Sequence, residues 1–165
     1  MEALPYGINR CDVFRYILMF YEGGYYFDLD FVCLRPLTVR GKHVVLCEEW
    51  PGSASDATVH NGAIYSPPGH LFWMFVLDEV QRRLQRLTKD DLASKHRSVW
   101  KLTGTALLRD VAVQTRAVDI VTHALFCPLV QHDGQVRLPA ASDDLPARFP
   151  HSLCALLPAE PTWRR

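Results

Sequence analysis

The 165-residue chain has no surplus of charge: 18 Lys and Arg face 18 Asp and Glu. That balance argues against the broad basic footprint with which proteins hold nucleic acid or an anionic membrane surface. No apolar run reaches the length of a membrane span, and the N-terminus lacks a basic segment followed by an apolar one. The expected setting is therefore cytosolic, with no membrane span and no signal peptide. The five cysteines, Cys11, Cys33, Cys47, Cys127 and Cys154, contain no C-x-x-C pair. An odd, scattered set reads as reduced, buried thiols rather than a disulfide framework. Internal repeats and low-complexity tracts are also absent. What is present is a 48% hydrophobic chain of a size for one domain with a real core.

Residues 11–22, CDVFRYILMFYE, hold neither Gly nor Pro. They predict a mostly buried helix, closed by Gly23 and Gly24 in left-handed conformation. A strand is expected at about 25–33, bounded by Arg35-Pro36. Further strands are expected at 43–50 and 59–66, with a loop between them. The clearest helix spans 70–87, where Phe72, Phe75, Val76, Leu77, Val80, Leu84 and Leu87 follow a helical period. Another helix is predicted at 103–116, and the tail 131–165 is rich in Pro, Ala, Asp and Arg, hence loop-rich. Strands alternating with helices predict an α/β architecture.

The stretch EGGYYFDLDF, residues 22–31, places two aspartates in an apolar run. As one strand it would turn Tyr25, Phe27, Leu29, Phe31 and Cys33 to one face and Tyr26, Asp28, Asp30 and Val32 to the other. Two adjacent carboxylates repel and resist burial without a nearby cation. A divalent metal with hard oxygen ligands and a phosphorylated ligand is the natural partner; a solvated strand end is the plainer alternative. Upstream, Asp12 and Arg15 stand three apart on one helical face. As an exposed ion pair they would contribute a few tenths of a kcal/mol; delivered to the same end of the sheet, the guanidinium suits a diphosphate or a sugar hydroxyl.

CDVFRYILMFYEGGYYFDLDFVCLRPL resembles the DXD segment of retaining glycosyltransferases of family 32, which includes yeast-type α-mannosyltransferases and sphingolipid mannosyltransferases. It is also similar to the corresponding segment of the clostridial glucosylating toxins. The shared pattern is D-x-x-R, a helix, then G-G-x-Y-x-D-x-D, strongest over 11–37. HNGAIYSPPGHLFWMFVLDEV resembles the family's next block, and LTGTALL its Thr-Gly-Pro stretch, with Thr105 in place of Pro.

The resemblance implies a GT-A-like fold and a nucleotide-sugar donor, a UDP- or GDP-hexose, held through Mn²⁺ or Mg²⁺. It implies that Asp12 and Arg15 contact the donor sugar or diphosphate. Asp28 would contact ribose and sugar and could reach the metal through water, and Asp30 would be the direct metal ligand. Tyr26 could bond a phosphate, Asn61 would lie near the donor sugar, and Trp163 would close over the diphosphate, with His151 as a substitute for a family histidine whose place Leu156 takes. Arg15, Asp28 and Asp30 form the catalytic set so implied, serving transfer to a glycan, lipid or protein acceptor. Family members usually open with a strand and helix that help hold the base, whereas here the D-x-x-R helix begins barely ten residues from Met1. The expectation is thus a single, N-terminally truncated GT-A-like domain over 1–165. Two other classes compete with the transferase: an inactive remnant serving as a binding module, and a metal-dependent phosphohydrolase, which would need more carboxylates and histidines converging on the metal.

Overall fold

The computed structural model describes residues 4–49, 59–132, 135–140 and 144–157. Helix α1 (Gly7–Tyr21) starts four residues earlier than the bulky run suggested, because Asn9 anchors its first turn by accepting from the Tyr6 backbone N–H at 3.2 Å. It ends at Gly23 and Gly24, with φ of 63° and 82°. A side chain at Gly23 would collide with the backbone of Ser66 and Pro68, so glycine is required there on both counts.

Strands β1 (Gly24–Phe27), β2 (Phe31–Cys33), β3 (Val44–Glu48) and β4 (Val59–Ser66) follow. Then come helices α2 (Phe72–Gln85), α3 (Lys89–Leu92), α4 (Lys95–Leu102) and α5 (Thr105–Thr115), strand β5 (Val118–Val121) and a 3₁₀ turn, His123–Leu125. Strands β6 (Val130–His132) and β7 (Gln135–Arg137), helix α6 (Leu145–Arg148) and strand β8 (Cys154–Leu156) complete the described chain. The main sheet has the order β1-β4-β3-β5, antiparallel except for the parallel β3–β5 pair. β2 pairs antiparallel with β8, and β6 with β7.

Both faces of the sheet are covered. Val44 and Leu46 of β3 join Val59 and Ile64 of β4 under α1, α2 and α5, where Tyr16, Phe72, Trp73, Leu107 and Leu108 are fully buried. Each such side chain contributes roughly 1.5–3 kcal/mol by leaving water. Tyr16 and Trp73 stack at 5.6 Å, and the indole N–H finds Ser66 Oγ at 2.8 Å. The alternate residues Val45 and Cys47 face the other way, toward Phe126, Cys127, Leu153, Cys154 and Leu156. This is a helix, sheet and short-ladder sandwich of α/β class, as expected.

One expectation fails in an instructive place. Residues 25–33 are not a single strand: β1 stops at Phe27, Asp28–Asp30 form a turn closed by Phe31 N–H to Asp28 C=O at 3.1 Å, and β2 belongs to a different ladder. Leu29, placed on the core face by simple alternation, is fully solvated at the tip of the turn, and Cys33 is exposed. Phe27 leaves with the main sheet and Phe31 with β2, yet their rings still meet at 5.5 Å. The described cysteines divide likewise, with Cys47, Cys127 and Cys154 buried but Cys11 and Cys33 exposed. No helix among the described residues is long and apolar enough to cross a membrane.

Candidate active site

The turn carrying both aspartates is tied at its two ends to different layers. Asp28 N–H donates to Gly62 C=O of β4 at 2.9 Å, while Asp30 C=O accepts from Leu157 N–H, just past β8, at 2.9 Å. Opposite the turn, β4 is irregular. Leu46 of β3 faces Ile64 but the next residue, Cys47, faces His60, so Asn61, Gly62 and Ala63 drop out of the β3 ladder. Such bulges re-aim groups that a regular strand would keep in the sheet. Here the freed Asn61 carbonyl turns toward α1 and accepts from Arg15 Nη1 at 2.5 Å.

Arg15 is the centre of a buried network. Its Nη2 lies 3.1 Å from Asp28 Oδ1 and 3.5 Å from Asp12 Oδ1. Asp12 also accepts from Asn61 Nδ2 at 3.2 Å and from Thr103 Oγ1 at 2.7 Å, and Asn9 Nδ2 donates to that same Thr103 hydroxyl at 2.8 Å. Tyr16 donates its hydroxyl to the Thr103 carbonyl. The Tyr26 hydroxyl donates to Asp28 Oδ1 at 2.9 Å, and the Arg15 guanidinium sits 4.4 Å above the Tyr26 ring. Asp12 and Arg15 are only 2% and 6% exposed, so this pair, unlike a surface ion pair, has its charge settled inside the protein.

The electrostatics separate the two aspartates of the turn. Burial pushes the Asp12 carboxyl up to about 6, opposed by Arg15 and by the Thr103 bond. Burial alone would lower Arg15, but Asp12 and Asp28 outweigh it and hold the guanidinium charged. Tyr26 is pushed up to about 12, mainly by loss of solvent. Asp30 is raised by burial and by the neighbouring Asp28 charge. Asp28 has Arg15 and Tyr26 on one oxygen; Asp30 Oδ1 is buried and meets no hydrogen-bond partner among the described residues.

That orphaned oxygen is where a hard cation fits the protein. No group of three or more His, Cys, Asp or Glu able to enclose a metal occurs among the described residues. A cation of the Mg²⁺ type, which takes one or two carboxylates from a protein and completes its shell with phosphate and water oxygens, would ask no more of the protein than this turn offers.

Of the residues singled out in the sequence, Asp12, Arg15, Tyr26, Asp28 and Asn61 converge in one network, and Asp30 closes the turn beside it. Trp163 and the loop 51–58 lie outside the described residues. His151 is exposed on a turn and Leu156 is buried in β8. Five participants went unrecognised as such: Asn9, Tyr16, His60, Gly62 and Thr103. Gly62 passes so close to Asp28 that an added Cβ would lie 2.5 Å from Oδ2 and 2.7 Å from His60 Cε1. His60 accepts the Gly62 N–H on Nδ1 at 2.9 Å, and loss of solvent lowers its pKa to about 4. The signal available was the H-N-G triplet itself, read only for its asparagine. A separate cleft of about 380 Å³ between α2, α4 and α5 is lined by Arg83, Arg109, Lys101 and Trp100. Of its basic groups, Arg83, Lys101 and Arg109 are paired with Glu79, Asp91 and Asp110, while Arg86 also lines it, and it shares no residue with the network.

The Asp-x-Asp turn and the buried D-x-x-R pair both lie in the stretch that comparison with known proteins matches. Residues 1–52 match the family described as glycosyltransferase sugar-binding region containing DXD motif. Inositol phosphoceramide mannosyltransferases 3 and 2 of Schizosaccharomyces pombe are 31% and 27% identical to this chain over 81 residues. Each match covers 49% of this chain and 22% of the relative, so the chain spans about a fifth of the length of these curated relatives. Among solved structures, the PaToxG glycosyltransferase superposes with a TM-score of 0.51 at 22% identity, over 65% of this chain and 35% of that one, which supports the GT-A-like fold. Residues 1–52 hold the D-x-x-R helix and the Asp-x-Asp turn, and over the matched stretches the chain is similar to DXD-type glycosyltransferases.

Proposed function

We propose that the protein transfers a hexose from a UDP- or GDP-linked donor to a glycan, lipid or protein acceptor, with Mn²⁺ or Mg²⁺ held at Asp30 and with retention of anomeric configuration. The observation that carries this reading is the division of labour in the turn: Asp28 is compensated by Arg15, whereas Asp30 Oδ1 is buried with no hydrogen-bond partner among the described residues. Likeness to the inositol phosphoceramide mannosyltransferases favours a mannosyl donor and an inositol phosphoceramide acceptor within that class.

In this reading Asp12 and Arg15 act chiefly as positioning residues. Arg15 holds the Asp28 carboxylate and the Asn61 backbone at once, and Asp12, braced by Thr103, holds the Asn61 amide. Asp28 and Asn61 are thereby presented to the sugar, with the Tyr26 hydroxyl as the second donor to Asp28. A divalent cation bound at Asp30 would supply neutralisation of the charge that builds on the departing nucleoside diphosphate. The anomeric carbon becomes oxocarbenium-like as that bond stretches.

A second reading, a binding module without turnover, draws support from the enclosure of Arg15, whose terminal nitrogens already have internal partners. The deciding assay follows release of UDP from UDP-glucose and of GDP from GDP-mannose, with and without Mn²⁺, using Asp30→Ala as control. Metal-dependent release that is lost in Asp30→Ala is the expected result. Donor binding without release of either nucleotide would favour the binding module.

A further inference from the structure

The β2–β8 ladder carries a feature that the sugar-transfer reading does not use. Cys33 and Cys154 are direct cross-strand partners, and their sulfurs lie 3.7 Å apart. The ladder bonds run from Leu157 N–H to Asp30 C=O and from Leu34 N–H to Leu153 C=O. In an antiparallel pair, bonded and non-bonded positions alternate, so with 30/157 and 34/153 bonded, 33/154 is a non-hydrogen-bonded pair. These are the positions where opposed Cα atoms approach most closely, roughly 4.5 Å, within the span a disulfide bridges. Cys33 is exposed and Cys154 fully buried, so one sulfur of the pair is open to a reagent and the other is shielded.

We propose that Cys33 and Cys154 form a reversible cross-strand disulfide that staples β8 to the segment leaving the Asp28–Asp30 turn. The co-reactant is a small disulfide such as oxidised glutathione. The Cys33 thiolate attacks one sulfur of it, forming a mixed disulfide and releasing one glutathione thiolate. Cys154 then gives up its proton and attacks Cys33 Sγ, releasing the second glutathione thiolate. Two protein thiols are oxidised, and the electron pair ends on the two glutathione thiols. Attack at Cys33 comes first because Cys154 is reluctant to ionise, pushed up to about 12 by burial and by its contact with Cys33. The optimum attacking thiol ionises near ambient pH, so the second step is the slow one and a glutathionylated Cys33 accumulates transiently.

Geometry alone does not select this pair. Cys47 and Cys127 also lie against each other, but both are fully buried, with no exposed sulfur to begin the exchange. Cys11 is exposed on α1, with no partner thiol among the described contacts. The staple would act on function through position. β2 begins directly after Asp30, and Leu157, three residues past Cys154, holds the Asp30 carbonyl. Fixing 33 to 154 fixes the register that places Asp30. It also closes a loop over most of the chain, the regime in which a cross-link restricts the unfolded ensemble most.

The test exposes the full chain to oxidised glutathione under native conditions, then alkylates it and maps disulfide-linked peptides. A Cys33–Cys154 link is expected, preceded by glutathionylation of Cys33, with a thermal midpoint raised by several degrees and restored by dithiothreitol. Cys33→Ser, at an exposed position, should abolish both the link and the shift while leaving the reduced midpoint unchanged. Stable glutathionylation that never resolves, a link through Cys11 or Cys47, or an unchanged midpoint in the linked protein would each overturn the proposal.

Discussion

Arg15 Nη2 sits 3.1 Å from Asp28 Oδ1 while Nη1 of the same guanidinium holds the Asn61 carbonyl at 2.5 Å. One side chain from α1 thus joins the aspartate turn to the bulge in β4. Its removal takes the neighbouring cation from the buried Asp12 and a donor from the Asn61 carbonyl. Arg15→Met is expected to lower stability by about 3–5 kcal/mol, the cost of breaking a buried charge pair from one side. Arg15→Lys keeps the charge but cannot place two donors in one plane, and should fall between the two. Urea denaturation measures both; a loss below about 1 kcal/mol for Arg15→Met would mean that the network does not carry the fold.

Asp28 and Asp30 should respond in opposite ways to the same chemistry. Asp28→Asn removes the charge that Arg15 and Tyr26 compensate and should cost about 1–3 kcal/mol. Asp30→Asn removes a charge that burial and Asp28 already disfavour, so stability should be unchanged or higher. Metal binding should reverse the order, with Mn²⁺ affinity abolished in Asp30→Asn and only weakened in Asp28→Asn. Because the Asp30 carboxyl is raised, protons compete for it earlier than for an ordinary aspartate, and affinity should fall as the solution is acidified. Calorimetric titration decides the matter; equal affinity in the two variants would refute the assignment.

Where periodicity and burial coincide, the sequence was legible. The stripe Phe72, Phe75, Val76, Leu77, Val80, Leu84 and Leu87 predicted α2 to within two residues at each end because Phe72, Val76 and Val80 are on its buried face. Phe75 is nonetheless half exposed, and the fully buried Trp73 lay outside the stripe. Alternation misled at 25–33 because a turn in the middle of an apolar run has no periodic signature. The partner of β2 lies far off in the tail, beyond any local pattern. Helix α4 was missed because KHRSVWKL is mostly polar, with only Ser98, Val99 and Leu102 buried. In the site, Asp12, Arg15, Asp28, Asp30 and Asn61 were recognisable as a motif, but their roles depend on distances that no motif encodes. Thr103 was visible only inside a matched block. Its hydroxyl bond to Asp12 appears only once α4 ends against α1.

Gly62 tests the packing side of the site. A methyl group there would meet Asp28 Oδ2 at 2.5 Å and His60 Cε1 at 2.7 Å. Both neighbours are held by other bonds, so relief must displace Asp28 from Arg15 or turn His60 off the Gly62 N–H. Gly62→Ala should lower stability by about 1–3 kcal/mol, the usual cost of overpacking, and weaken Mn²⁺ binding through the shifted turn. A variant as stable as the parent, with unaltered metal affinity, would show that the turn can yield without consequence.

His60 supplies a pH dependence with a definite sign. Burial lowers its pKa from the ordinary 6.5 to about 4, with Arg15 adding to the effect and Asp28 opposing it. Only the neutral ring can accept the Gly62 N–H on Nδ1, consistent with that direction. Between these two values the unfolded chain binds the proton and the folded one does not. The stability His60 contributes is therefore fully present above 6.5 and is lost as pH falls toward about 4. Asp12 works the other way: raised from 3.8 to about 6, it adds stability as the solution is acidified through the same window. The parent profile mixes the two, so the informative quantity is the difference between the parent and His60→Gln, which keeps an acceptor but does not titrate. Denaturation at about pH 7.5 and about pH 5 should show the parent losing more stability than His60→Gln on acidification. If the two proteins lose stability in parallel, the neutral, bonded state assigned to His60 is wrong.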